Sequence, residues 1–446
     1  MSDFGIWTIV PPIVVIALAI YSKKPIESLL VGCVSAYLII AIHTGENVIT
    51  LTRNAFFSVA TDYDNVWIIM VCGLFGSLIA LLNASNGTLA IARAIGKHCK
   101  SDRSVLLSAW GLGMIIFIDD YMNIMTVSSC LKKLCRKKNI PMSALAYVIN
   151  STSAPTCVLI PFSTWAIFYA SSFFEQEAVK RLGYSSAMSA YCHAIPFMFY
   201  AIISISLVML FAAGIVPAIG GMKEEYENAT KAAKINETVG EEKGTVIDFV
   251  TPIIVMIVTT IIMDDMFIAL LASILVCFVL YIPRRVVTFS EFCELWIKGF
   301  GDLVPTLAVL LFAFFMKQAC ADIHLPEYVV SRLLPYVSER SFPAVAFALV
   351  SVLAFVTGDS WGVPAICVPI IIPLGAACGA NILLTMAAIV SGGVFCSHAC
   401  FYSDATVLTS SCCDIDSMLH AKTQFPYAII AFLLSFLLYI CLGFLM

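Results

Sequence analysis

The chain has 446 residues, 61% hydrophobic and only 12% charged, with a formal net charge of −4 and a mean hydropathy of +0.96. A soluble domain carries about 25% charged residues, and a transmembrane β-barrel shows short alternating segments instead of long apolar runs, so both classes are excluded. Apolar runs near the ~20 residues that span a bilayer as helix recur throughout. They predict an all-α polytopic membrane protein, multi-pass in the cell (inner) membrane, with lipid as its main surroundings.

Met1–Gly5 lacks the basic region of a cleavable leader, so Ile6–Tyr21 is expected as an uncleaved first span. Leu29–His43 follows across Lys23-Lys24-Pro25, then a polar stretch, Thr44–Asn65. Val66–Leu82 is a third span, in which Gly73 and Gly76 allow close helix contact. Next comes a basic segment with Arg93, Lys97, Lys100 and Arg103, and a second with Lys132, Lys133, Arg136, Lys137 and Lys138. Short loops rich in Lys and Arg are preferentially cytoplasmic. If both segments lie there, Ser104–Leu131 enters and leaves on one side, a re-entrant hairpin turning near Asp119–Asn123. A single straight span is the alternative.

Pro141–Phe173 is apolar but broken at Asn150-Ser-Thr-Ser-Ala-Pro155 and again at Pro161-Phe-Ser-Thr164. Hydroxyl residues ending at a proline predict an unwound helix whose carbonyls and hydroxyls can coordinate a cation; a kinked helix with structural Ser and Thr is the plainer reading. Tyr191–Pro217 is another span. Gly220–Gly244 is the long hydrophilic segment, read as a linker. Val246–Ile262 and Met266–Ile282 follow, meeting at Asp264-Asp265 in a solvated turn. Phe289–Gly301 is an amphipathic connector into Leu303–Met316. Phe342–Leu374 repeats the hairpin pattern around the tip Thr357-Gly-Asp-Ser-Trp-Gly362. Ile382–Ser411 repeats the broken helix through Ser391-Gly-Gly393, Ser397-His398-Ala-Cys400 and Ser403-Asp404-Ala-Thr406. Phe425–Met446 is the last span.

The 17 cysteines are scattered through apolar runs and read as packing residues, not as a disulfide framework. Cys396, His398 and Cys400 are close in sequence but have no second ligand cluster, so neither a transition metal nor another cofactor is expected. No nucleic-acid partner is expected, and no nucleophile motif such as GxSxG suggests an enzyme.

The stretch FIDDYMNIMT carries the strongest chemical signal. An ionised carboxylate in hydrocarbon costs roughly 3 kcal/mol or more, so Asp119 and Asp120 at membrane depth mark a candidate site. Asp359 stands in the same setting far downstream. Discontinuous helices from internal inverted repeats, meeting near the midplane, characterise secondary transporters. The expected division is 1–219 as a first repeat (hairpin 104–131, broken helix 141–173), 220–245 as linker, and 246–446 as a second repeat (hairpin 342–374, broken helix 382–411).

At GSLIALLNASNGT, FIDDYMN, ALAYVINSTSAPT and PFSTW, then FVTGDSWGVPAICVPIIIPL, SHACFYSDATVLTSS and HAKTQFPYA, the chain resembles the NhaC-like sodium/proton antiporter family of the ion-transporter superfamily. The resemblance implies inverted repeats, re-entrant hairpins and an elevator-like transport domain moving against a dimeric scaffold, hence a homodimer. The family also includes exchangers or carriers of carboxylates and amino acids. This chain departs from it in carrying Asn150 and Ser397 where acids are usual, Asp359 within Gly-Asp-Ser-Trp-Gly, and Ala405 after Asp404.

Sodium needs a shell of oxygens. Asp119 or Asp120, Asn123, and the groups of Asn150, Ser151 and Thr152 form one candidate shell; Asp359, Ser360, Ser403, Asp404 and Thr406 form another. A carboxylate that alternately binds sodium and a proton gives antiport without further machinery. His398 and Thr164 are candidates for proton or substrate handling, and Trp165 and Trp361 for lining an organic substrate; for His398 and the tryptophans ordinary packing is the alternative. The expected function is exchange of sodium for protons, with sodium- or proton-coupled transport of a small carboxylate or amino acid as the rival.

Overall fold

Every regular element among the described residues is a helix. The computed structural model describes residues 4–22, 24–87, 90, 99, 101–117, 119–161, 163–231, 245–263, 265–325, 327–328 and 337–446. Arg93, Lys97, Lys100, Asp264 and most of the charged linker therefore lie outside the described residues. Among the described residues, four helical stretches have the length and composition to cross a membrane unaided: Ile26–Thr44, Asn65–Ala84, Ile382–Cys412 and Ser417–Leu445. Others are shorter or bent, and the expected span at Tyr191–Pro217 is a pair of helices, Ala187–Phe197 and Phe199–Ala212, bent by 53°.

The first four helices are α1 (Val10–Ser22), α2 (Pro25–Thr44), α3 (Val48–Thr61) and α4 (Tyr63–Ala84). The polar stretch Thr44–Asn65 contains a helix, α3, that the sequence reading did not assign. Its apolar positions Val48, Leu51, Ala55 and Val59 fall at helical spacing and pack inward, while intervening Thr, Arg and Asn residues dilute the hydropathy. The Asn47 side chain starts the helix by accepting the amides of Ile49 at 2.9 Å and Thr50 at 3.3 Å.

The order recurs after residue 245. Helices α13 (Val246–Met263) and α14 (Met266–Tyr281) are followed by amphipathic α15 (Phe289–Asp302) and apolar α16 (Val304–Asp322). A reciprocal capping box starts α15: Thr288 donates its amide to Glu291 at 2.7 Å and accepts the Glu291 amide at 3.3 Å. The fourth helix of each set packs on the other set. Thus α4 lies against α14 and α15, and α16 against α2 and α3. Glycines permit the first contact: a Cβ at Gly73 would enter the Phe300 ring, and one at Gly76 would strike the Gly299 backbone. Helix α16 runs beyond the expected end at Met316 because its last turn finds polar partners. Tyr37 donates to Asp322 at 2.9 Å, and Gln318 to the same carboxylate at 2.8 Å.

Each set is followed in the chain by a helical hairpin and then a broken helix. The first hairpin joins α5 (Asp102–Ile115) to α6 (Asp120–Lys137). Laid end to end, Asp102 and Cys135 would be about 50 Å apart at 1.5 Å per residue. They are instead within electrostatic reach of each other, so the chain folds back at its tip. The second hairpin joins α17 (Phe342–Thr357) to α18 (Gly362–Ala377). It too returns on itself, with the Phe342 ring 2.9 Å from where a Cβ on Gly375 would stand.

The first broken helix comprises α7 (Met142–Thr152), α8 (Ala154–Leu159) and α9 (Thr164–Phe174), and the second comprises α19 (Ile382–Ala399) and α20 (Asp404–Cys412). Each packs on the first arm of its hairpin, α7 on α5 and α19 on α17. Helix α21 (Ser417–Leu445) closes the chain.

Candidate functional site

The acids of the site all sit where helices begin. Asp119 caps α6, accepting the Met122 amide at 3.1 Å, and its other oxygen accepts the Thr164 hydroxyl at 3.2 Å. Asp120 is the first residue of α6, and Asp404 the first of α20. Asp359 lies three residues before the start of α18 and accepts the amides of Trp361 at 3.1 Å and Gly362 at 2.7 Å. A helix N-terminus carries about half a positive charge, which supports a carboxylate where lipid would not.

The two adjacent acids differ sharply. Asp119 is engaged on both oxygens. Asp120 is 1% exposed, and neither of its oxygens has a hydrogen-bond partner. The Trp165 indole N–H is the donor that approaches it, outside full hydrogen-bond geometry. An uncompensated buried carboxylate is strongly unfavourable, so this oxygen pair is open to a cation or a proton.

Asn123 ties the tip to the first break. Its amide nitrogen faces the carbonyls of Gly113 at 2.6 Å, Ile116 at 2.7 Å and Thr152 at 3.0 Å, so the C-terminal ends of α5 and α7 meet there. The bond to Thr152 satisfies a carbonyl released where Ser153, at φ −83° and ψ −96°, interrupts the helix. Asn123 Oδ1 and Thr126 Oγ1 are buried without partners. Two helix C-termini beside free oxygens favour positive charge.

The second break joins this region through Asp404. The Tyr121 hydroxyl donates to its carboxylate across α6 and α20, and Asp404 is electrostatically coupled to Asp119, Asp120 and Asp359. Cys72 on α4 lies within electrostatic reach of Asp119, Asp120 and Asp404, so α4 flanks the acids. At the second tip, Lys317 of α16 stands 3.5 Å from Asp359, and the buried Ser360 hydroxyl has no partner. Trp165 and Trp361 pack with centroids 4.3 Å apart, linking α9 to that tip.

The remaining predicted residues form a separate polar knot between the broken helices. The Asn150 amide approaches the Ser397 carbonyl at 3.3 Å, Thr406 Oγ1 at 3.5 Å and His420 Nε2 at 3.3 Å. Thr406 donates to the Ser397 carbonyl at 3.1 Å, and Ser403 to Thr406 at 3.1 Å. Thr152 bonds back to Val148 at 2.8 Å. Ser151 meets His398 Nε2 at 2.6 Å and Tyr200 meets its Nδ1 at 2.9 Å, while Tyr147 lies parallel to the ring. Both nitrogens of His398 are thus engaged and its ring is covered, as in the packing alternative.

The structure therefore does not sort the site by halves. Asp404 of the second broken helix joins Tyr121 of the first hairpin, and Asn150 of the first joins Thr406 of the second. The hydroxyls of Ser151, Thr152, Ser403 and Thr406 are occupied by protein partners, whereas Asp120, Asn123, Asn150 and Ser360 keep oxygens without hydrogen-bond partners. Sequence reasoning missed Lys317, Tyr121, Thr126, Tyr200, His420 and Gln424, the last donating to the His398 carbonyl. For Lys317 the signal was present, a lone cation extending an apolar run. Tyr121 stood beside the acid pair itself.

Comparison with known proteins adds independent information. An uncharacterized protein of Haemophilus influenzae is 27% identical over 481 aligned positions, covering 100% of this chain and 92% of that protein. A malate-2H(+)/Na(+)-lactate antiporter of Bacillus subtilis is 29% identical over 120 positions, 26% of each chain. The model of the Na+/H+ antiporter family matches residues 174–444. That match covers more than half of the chain, including the second hairpin and second broken helix, and the protein is a member of the NhaC-like Na+/H+ antiporter family.

Proposed function

We propose that the protein exchanges sodium for protons across the cell membrane, with Asp120 as the carboxylate that binds the two alternately. The observation that carries this reading is the buried, unpartnered carboxylate of Asp120, at the meeting of a hairpin tip and two helix breaks. Asp404 lies within its field, and the free oxygens of Asn123 and Thr126 complete the surroundings for a sodium ion. One ion entering neutralises what a proton would otherwise neutralise, so the two compete and exchange. The recurring element order and the exchanged packing of α4 and α16 support two inverted repeats. In this reading the hairpins and broken helices move as an elevator against the other helices of a homodimer.

Purified protein in proteoliposomes carrying a pH-sensitive dye tests the proposal. An inward sodium gradient alone should drive proton efflux. A second reading, coupled transport of a small organic acid, draws support from the name of the Bacillus subtilis relative. It would be favoured by sodium flux that appears only when malate or lactate is added. Absence of sodium-driven flux under both conditions would remove sodium from the mechanism.

A further inference from the structure

Four carboxylates gather around the tips and breaks, and among the described residues Lys317 is a basic side chain that reaches them. It belongs to α16, which packs on α2, α3 and α4, whereas its partner Asp359 belongs to a hairpin tip. Its ammonium lies 3.5 Å from Asp359, with 44% of the Lys317 side chain and 9% of the Asp359 side chain exposed. The other Asp359 oxygen is taken by the amides of Trp361 and Gly362. Gly362 makes the pairing possible: a Cβ there would stand 2.8 Å from Lys317 Cε and press on the Asp359 carboxylate. Asp359 is thus supplied with both a cation and well-formed donors by the protein itself, whereas Asp120 has no cation partner and no hydrogen bond of full geometry.

We propose that Lys317 is a positioning residue, the resident counter-cation of Asp359, and that the pair withholds this acid from transported ions and leaves Asp120 and Asp404 to carry the exchange. This rests on the sodium/proton reading above. The ammonium occupies the place beside Asp359 that a free monovalent cation would take. Removing it opens a further cation position and lifts a positive charge from the field of Asp404.

The test compares wild type with Lys317→Gln, Lys317→Arg, Gly362→Ala and the double variant Lys317→Gln/Asp359→Asn. Sodium-dependent thermal stabilisation is measured in detergent, alongside sodium-driven proton flux in proteoliposomes. Lys317→Gln should lower the half-maximal sodium concentration by about tenfold or more, because attraction between charges a few ångströms apart is strong near a protein interior. Its sodium titration should also steepen. Lys317→Arg keeps the charge and should behave as wild type. The double variant loses both charges and should return to within about threefold of wild type, as coupled neighbours do in a cycle. Gly362→Ala keeps every charge, spreads the pair, and should shift in the same direction as Lys317→Gln, providing the readout if that variant does not fold. An unchanged sodium dependence in Lys317→Gln, or a shift that persists in the double variant, overturns the inference while wild-type exchange stands. Wild type with neither sodium stabilisation nor sodium-driven proton flux overturns both this inference and the sodium/proton reading.

Discussion

Asp119 and Asp120 are chemically identical neighbours in different surroundings, and backbone position separates them. Asp119, as the cap of α6, turns its carboxylate back onto the Met122 amide and receives Thr164. Asp120, one step into the helix, is buried without a hydrogen bond of full geometry. Asp120→Asn should abolish sodium-driven proton flux and leave the fold intact, with a melting temperature equal to or above wild type, since it removes an uncompensated charge. Asp119→Ala should instead lose the cap and cost about 1 kcal/mol of stability, measured by thermal unfolding, with exchange weakened but present. Sodium-dependent exchange that survives in Asp120→Asn and vanishes in Asp119→Asn would reverse the assignment. The acid pair was legible in the sequence because charge is conspicuous in an apolar run. Lys317 was not read because hydropathy ended its span at Met316, although α16 continues for another turn and a half. Which hydroxyls remain free was not legible, because that depends on partners brought from distant parts of the chain.

At the scale of elements, the broken helices appear at Ser153 and between Ala399 and Asp404, where runs of small hydroxyl residues announced them. The first hairpin was read from basic flanks on either side of one apolar stretch, and the second from the recurrence of two apolar arms around a polar tip. In a background without accessible cysteines, single cysteines at Arg103 and Lys137 should be labelled from the same side by a membrane-impermeant thiol reagent; labelling from opposite sides would contradict the fold-back of α5 and α6. The amphipathic α3 escaped notice because its Thr, Arg and Asn residues lower its mean hydropathy below that of a span. The backbone contact between α4 and α15 makes a sharp prediction. Gly76→Val places a branched side chain against the Gly299 backbone, and should destabilise the protein by about 1–3 kcal/mol or more, read as a lowered melting temperature. Gly301→Ala, where a Cβ meets nothing within 4 Å, should leave the melting temperature unchanged.

At the scale of the whole molecule, the recurrence of tips and breaks was readable, but the partners of α4 and α16 were not. Apolar helices advertise that they will pack, while the choice of neighbour is decided across hundreds of residues. That choice bears on how the protein is made. A ribosome releases α4 long before α14 and α15 exist, so its glycine face must wait in the bilayer, without its proper neighbour, through the synthesis of both the first hairpin and the first broken helix. α2 and α3 wait longer still for α16. Neither portion of the chain is then a finished product by itself. Expressed separately, residues 1–231 and 245–446 should each be degraded rapidly, whereas co-expression should restore both to the membrane as a complex recoverable through a tag on either one. Stable accumulation of the first portion alone would show that α4 has another resting place.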